Sequence, residues 1–256
     1  MLEFSLERDL PAAMIAGSRV TGLLLSAPFL SGEGVPVRVR IGLAVFLTGL
    51  LTPLIPAASV RAPLASLTPL LLGEIGIGFL LGFTLQLLFD AVQMSGHVIG
   101  VQMGYSLASV IDPQSQADSA VLSIFQEMIV LLLFIQMQVP QWLLRGLGRS
   151  FDYLPPGTFS LQWPSVSMLL GAAGGMFVAA VQIAAPVLVA TMFADVALGF
   201  LGRASPQLPV LFVGLSIKSL MGLALLCGAV AFWPRFFEVR FQQALEVSER
   251  ILKLAH

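Results

Sequence analysis

Residues Leu64–Gly104 read LASLTPLLLGEIGIGFLLGFTLQLLFDAVQMSGHVIGVQMG, and only Glu74 and Asp90 among them carry a formal charge. Hydrocarbon offers no partner to a backbone N–H or C=O, so a stretch this apolar is stable in a bilayer only as a helix. It is about twice the ~20 residues that one crossing needs. Such a helix must tilt steeply, project beyond the lipid, or turn at its glycines, since no proline lies between Pro69 and Pro113. Steps of four from Glu74 give Gly78, Gly82, Gln86 and Asp90. One face therefore carries two carboxylates, an amide and two glycines, which suits close helix packing or a wet path and not contact with lipid tails.

Working outward, five further apolar blocks follow the same criterion: Leu10–Leu30, Ile41–Ala58, Ala120–Pro140, Ser165–Gly202 and Pro209–Trp233. Pro186 offers a kink in the long block from Ser165. The whole chain of 256 residues is 57% apolar and 11% charged, with a mean hydropathy of +0.93. Soluble domains run roughly 45–50% apolar and 25% charged, so a soluble globule is excluded. The fold class expected is an all-α, polytopic helical membrane protein: six hydrophobic blocks arranged as hairpins, with residues 1–233 as an integral membrane domain. From 234 to 256, Phe237, Phe241, Leu245 and Leu252 recur at helical spacing among charges, which predicts a cytoplasmic amphipathic helix. It would lie on its own protein, on headgroups or on a partner.

The net charge of −1 provides no field for nucleic acid. One cysteine, Cys227, with His97 and His256, cannot supply a zinc site, and no cofactor is expected. Orientation follows from basic residues in the connections. Arg8, Arg61, Arg145, Arg149, Arg235, Arg240, Arg250 and Lys253 fall on one side, against Arg38, Arg40 and Arg203, which places both termini inside the cell. The first block is too long for a cleaved signal. Trp142, Trp163 and Trp233 sit at predicted span ends, as interfacial indoles should.

Arg19, Glu74, Asp90, Glu127, Asp195 and Lys218 lie inside apolar blocks, and Arg203 stands at the end of one; each intramembrane charge costs roughly 2.5–3.5 kcal/mol on insertion scales at a helix centre. They are expected to face protein or water. Glu74 and Asp90 fix helix register if they pair with Arg19 or Lys218; a proton relay is the alternative, although no ladder of carboxylates or histidines extends it. Gly96, Gly100 and Gly104, like Gly171 and Gly175, repeat at intervals of four and let backbones touch. Composition leaves open whether that packing is within the chain or with other subunits. Tyr105 to Ser119 reads as a polar loop, either a connector or a gate. There is no metalloprotease, hydrolase or phosphate-loop motif, so no enzyme is expected.

Taken in order, these features resemble the FliR family of flagellar type III export gate proteins, whose injectisome counterparts are called SctT. The match runs through Arg19, Pro28, Val35-Pro36 with Arg38 and Arg40, Glu74 with Gly78 and Gly82, and Ala91, Gly96, Gly100, Gln102 and Gly104. It continues through Asp112-Pro113, the segment Leu198 to Leu208 with Arg203 and Pro206-Gln207, and then Gly214 and Lys218. Pro209 and Leu215-Ser216 depart from the family's usual residues. The resemblance implies a subunit that assembles with FliP-like and FliQ-like subunits into a closed pore for unfolded proteins. FlhB-like and FlhA-like components would stand beside it, in the bacterial inner membrane at the flagellar basal body. It further implies that the closing plug is the loop Gly104 to Ser119, with Tyr105, Leu107, Ile111, Asp112 and Pro113 in it. The competing reading is a secondary transporter of a small solute with Glu74, Asp90 or Lys218 at a midplane site, although the two halves share no motif.

Overall fold

A computed structural model describes residues 6–28, 35–55, 64–105, 120–205, 207 and 209–255. All regular structure among them is helical: α1 (Leu6–Ser26), α2 (Val37–Leu51) with a short 3-10 turn (Thr52–Leu54), α3 (Leu64–Gln102), α4 (Ala120–Gln136), α5 (Val139–Tyr153), α6 (Trp163–Ala204), α7 (Val210–Val230) and α8 (Trp233–Leu254). The protein is an all-α, polytopic membrane protein. Three helical stretches are long and apolar enough to cross a membrane, Leu67–Gln102, Trp163–Ala204 and Phe212–Val230, and a fourth candidate is the broken pair α4–α5.

The stretch quoted at the outset does not turn at its glycines. Helix α3 is continuous over 39 residues, about 58 Å at 1.5 Å per residue, against a hydrocarbon layer of about 30 Å. Helix α6 likewise runs 42 residues with Pro186 inside it. Helix α3 ends where Gly104 takes a left-handed backbone (φ 89°). Gly104 N–H donates to Val101 O (3.0 Å) and Tyr105 N–H to Gly100 O (3.0 Å). That pair of bonds is the glycine-dependent helix stop, and it fixes where the following loop departs. The loop's remaining assigned residues, Leu107, Ile111, Asp112 and Pro113, lie outside the described residues.

Residues 139–153, read above as a basic connection, are a helix. Val139, Leu143, Leu147, Ser150 and Phe151 are buried, an apolar stripe at intervals of four that Arg145 and Arg149 obscure. Pro140 sits in the first turn of this helix, where a missing N–H costs nothing, and does not close the block before it. The break ahead of it falls at Gln138, which adopts φ 58°.

The chain forms two compact units. The first comprises Met1–Leu87, Phe134–Ala173 and Phe241–His256; the second comprises Leu88–Leu133 and Gly174–Arg240. In the first, Ile15, Leu23, Ile77, Leu81, Leu85, Leu147, Leu154 and Phe241 are fully buried. The end of α8 is tied down by Ser160 N–H donating to Ala255 O (2.9 Å), with Ile251 and Leu252 buried. In the second, Ile99, Met103, Leu122, Ala184, Val187 and Leu226 make the core.

Candidate functional site

In the first unit, α1 and α3 approach until backbone meets backbone. A Cβ added at Gly78 would collide with the Arg19 carbonyl, one at Gly22 with the Ile75 carbonyl, and one at Gly82 with Ser26 Oγ. The Ser26 hydroxyl donates across the gap to Phe79 O (2.8 Å). Glycine is required here because only a hydrogen fits between the two chains.

That closeness delivers Arg19 to Glu74. Arg19 is completely buried; its Nε donates to Glu74 Oε2 (2.7 Å) and its Nη2 lies 2.6 Å from the same oxygen. Arg19 Nη1 donates to Ser150 Oγ (2.8 Å) and Nη2 to Leu154 O (3.0 Å). The guanidinium carbon stands 4.0 Å from the centre of the Phe151 ring. The other carboxylate oxygen, Glu74 Oε1, accepts from Gly157 N–H (3.3 Å), and Gly157 is left-handed (φ 84°). A buried ion pair is tolerable when further hydrogen bonds take up its remaining donors and lone pairs, which is what α5 and the turn after it contribute. Of the two partners weighed for Glu74, Arg19 is the one it meets. This leaves a register-fixing node joining α1, α3 and α5.

In the second unit, polar groups cluster differently. Lys218 Nζ on α7 lies 2.5 Å from Asp195 Oδ1 on α6, and Gln102 Nε2 at the end of α3 donates to Asp195 Oδ2 (3.3 Å). This pair is not sealed: the Lys218 side chain is 18% exposed and that of Asp195 47%. Glu127 on α4 is half-buried within electrostatic range of Asp90 on α3. Gly96 presses on α4, where an added Cβ would stand 2.5 Å from Ser123 Cα, and Ser95 Oγ donates to Gln126 Oε1 (2.8 Å) beside it. Gly100 is buried on the same helix.

The remaining expected residues fall elsewhere. Arg203, grouped above with the inward-facing charges, is exposed; it lies in the last turn of α6, where a cation complements the helix dipole and reaches water. Gly171 and Gly175, with Gly174 between them, have nothing within 4 Å of an added Cβ, so they pack against nothing within their own chain. The transporter reading needs free groups at Glu74 or Lys218, and both are committed to ion pairs. Ser150, Phe151, Leu154 and Gly157 escaped the sequence reading, and the spacing of four in α5 was the one signal that led toward them. Among the described residues, no group of three or more His, Cys, Asp or Glu could hold a metal ion.

A sequence profile of the family described as "Bacterial export proteins, family 1" matches residues 10–244. The chain is 34% identical over 236 residues to the Flagellar biosynthetic protein FliR of Escherichia coli K12, covering 91% of this chain and 90% of that one. It is 30% identical over 236 residues to the protein of that name from Pectobacterium carotovorum, covering 91% and 90%. Over 230 residues it is 30% identical to the one from Bacillus subtilis 168, covering 87% and 88%.

Proposed function

The chain belongs to the FliR family of bacterial export proteins, and from that premise we propose that it is a non-enzymatic subunit of the flagellar protein export gate. It is a flagellar export protein with membrane-spanning helices. In the finer reading, it assembles in the bacterial inner membrane, at the flagellar basal body, with FliP-like and FliQ-like subunits into a gated pore for unfolded proteins. FlhB-like and FlhA-like components of the export apparatus stand beside that pore. The segment from Gly104 to Ser119 closes it, an assignment that rests on the family resemblance.

The observation that carries this reading is the Asp195–Lys218 pair. It sits on two of the most apolar helices, yet almost half of the carboxylate side chain is uncovered. A charge facing hydrocarbon costs roughly 2.5–3.5 kcal/mol, so this face meets protein or water. The open glycines of α6 add a second uncovered surface suited to a neighbouring helix, because small residues let backbones touch. A lone chain leaves both unsatisfied, and an assembly around a conduit covers or wets them.

Gly175→Leu tests the reading without disturbing the fold, since nothing lies within 4 Å of the added Cβ. Co-expressed with FliP-like and FliQ-like subunits, the variant should accumulate in the membrane as the parent does but lose most of its co-purification. Full recovery of the complex would count against this surface as an assembly face.

A further inference from the structure

Within the second unit, α6, α7 and the start of α8 leave a cleft of about 500 Å3, lined on one side by Ile183 and Pro186, on another by Ala224 and Gly228, and closed by Trp233 and Phe236. Its depth comes from small side chains on α7: nothing lies within 4 Å of a Cβ added at Gly228. The walls are almost wholly apolar, but the rim is not. Gln182 stands at the edge and accepts a hydrogen bond from Arg240 Nη2 (2.5 Å). The Arg240 guanidinium carbon lies 5.3 Å from the centre of the Phe236 ring. Arg235, exposed, precedes Phe236 directly, and Glu238, also exposed, lies on the same turn of α8.

We infer that this cleft is a binding site for one anionic phospholipid, with an acyl chain against Ile183, Pro186 and Gly228 and the phosphate at Arg240. An apolar slot ending at a guanidinium held in place by an amide and a ring matches a molecule with a hydrocarbon tail and an anionic head. Basic pockets between membrane helices are established headgroup sites as a class. The location agrees with the chemistry, because α7 passes into the charged helix α8 at Trp233, where apolar chain gives way to arginine. A zwitterionic lipid would fit the slot but lack the net charge that Arg240 selects. The inference concerns the chain by itself and stands apart from its assembly with other subunits.

The full-length chain is placed in vesicles of equal parts phosphatidylglycerol and phosphatidylcholine, gently solubilised, and weighed by native mass spectrometry. The parent should retain one phosphatidylglycerol in preference to phosphatidylcholine. Arg240→Gln should lower that preference by on the order of fivefold, the effect of one arginine near a lipid phosphate. Gly228→Leu, which fills the slot, should release both lipids. Equal retention by parent and variants would overturn the site. So would a Gly228→Leu chain that keeps its lipid but loses a FliP-like or FliQ-like subunit, since the cleft would then seat protein. A reading that needs no slot-filling variant uses phosphatidylglycerol with brominated acyl chains, in a chain whose Trp142 and Trp163 are replaced by Phe. Trp233 fluorescence should be quenched more by brominated phosphatidylglycerol than by brominated phosphatidylcholine, and equal quenching would contradict the headgroup selection.

Discussion

Arg19 holds a full charge in an apolar interior because every neighbour supplies something to it: the Glu74 carboxylate, the Ser150 hydroxyl, the Leu154 carbonyl and the Phe151 ring. Such a site is costly to break from one side only. Arg19→Met or Glu74→Leu leaves an uncompensated buried charge and should lower stability by about 3–5 kcal/mol, whereas the double replacement should recover much of that loss. Melting of the detergent-solubilised protein measures both, and a double variant no better than the singles would contradict the ion-pair account. Arg19 and Glu74 were legible in the sequence because a charge inside an apolar block must find a partner. Ser150 and the Leu154 carbonyl were not, since a backbone acceptor leaves no mark in sequence and a serine in a basic stretch looks solvated.

At the scale of elements, glycine has two roles here with opposite consequences. Gly78 lies where α1 and α3 touch through their backbones, and Gly148 lies in α5 with nothing within 4 Å of an added Cβ. Gly78→Ala must push α1 away and loosen the Arg19–Glu74 node, so it should destabilise. Gly148→Ala meets no obstacle and replaces a poor helix former, so it should stabilise by up to roughly 1 kcal/mol. Thermal melts of the two variants check the signs, and a shared sign would show that propensity and not contact decides both. Periodicity made the existence and extent of α3, α6, α7 and α8 readable. It could not say that α3 continues unbroken through its glycines, because the helix survives there through contacts with α1 and α4 that depend on tertiary packing. Helix α5 was hidden for a different reason: its proline is a start signal that reads equally well as a stop, and its arginines resemble a cytoplasmic connection.

At the scale of the whole molecule, the chain carries surfaces it does not use itself: the open glycines of α6 and the half-uncovered Asp195. The class of the protein, all-helical and membrane-embedded, followed from composition, and its family from the order of weak motifs along nearly the full length. The closing segment was assigned by resemblance alone, because a polar loop with an Asp-Pro turn is indistinguishable from a connector. Deleting Ser109 to Ala117 should leave an intact complex that leaks ions across the membrane, measurable as conductance in cells or in planar bilayers. An unchanged conductance in a complex shown to be whole would return that segment to the role of a connector.

The central claim is that this chain completes its structure with sister subunits around a conduit. Co-expression with FliP-like and FliQ-like proteins, gentle solubilisation and mass measurement test it most directly. The account predicts one high-mass species containing this chain together with both partners. A chain that elutes alone and monodisperse in the presence of both partners, and that transports a small solute when reconstituted by itself, would contradict it.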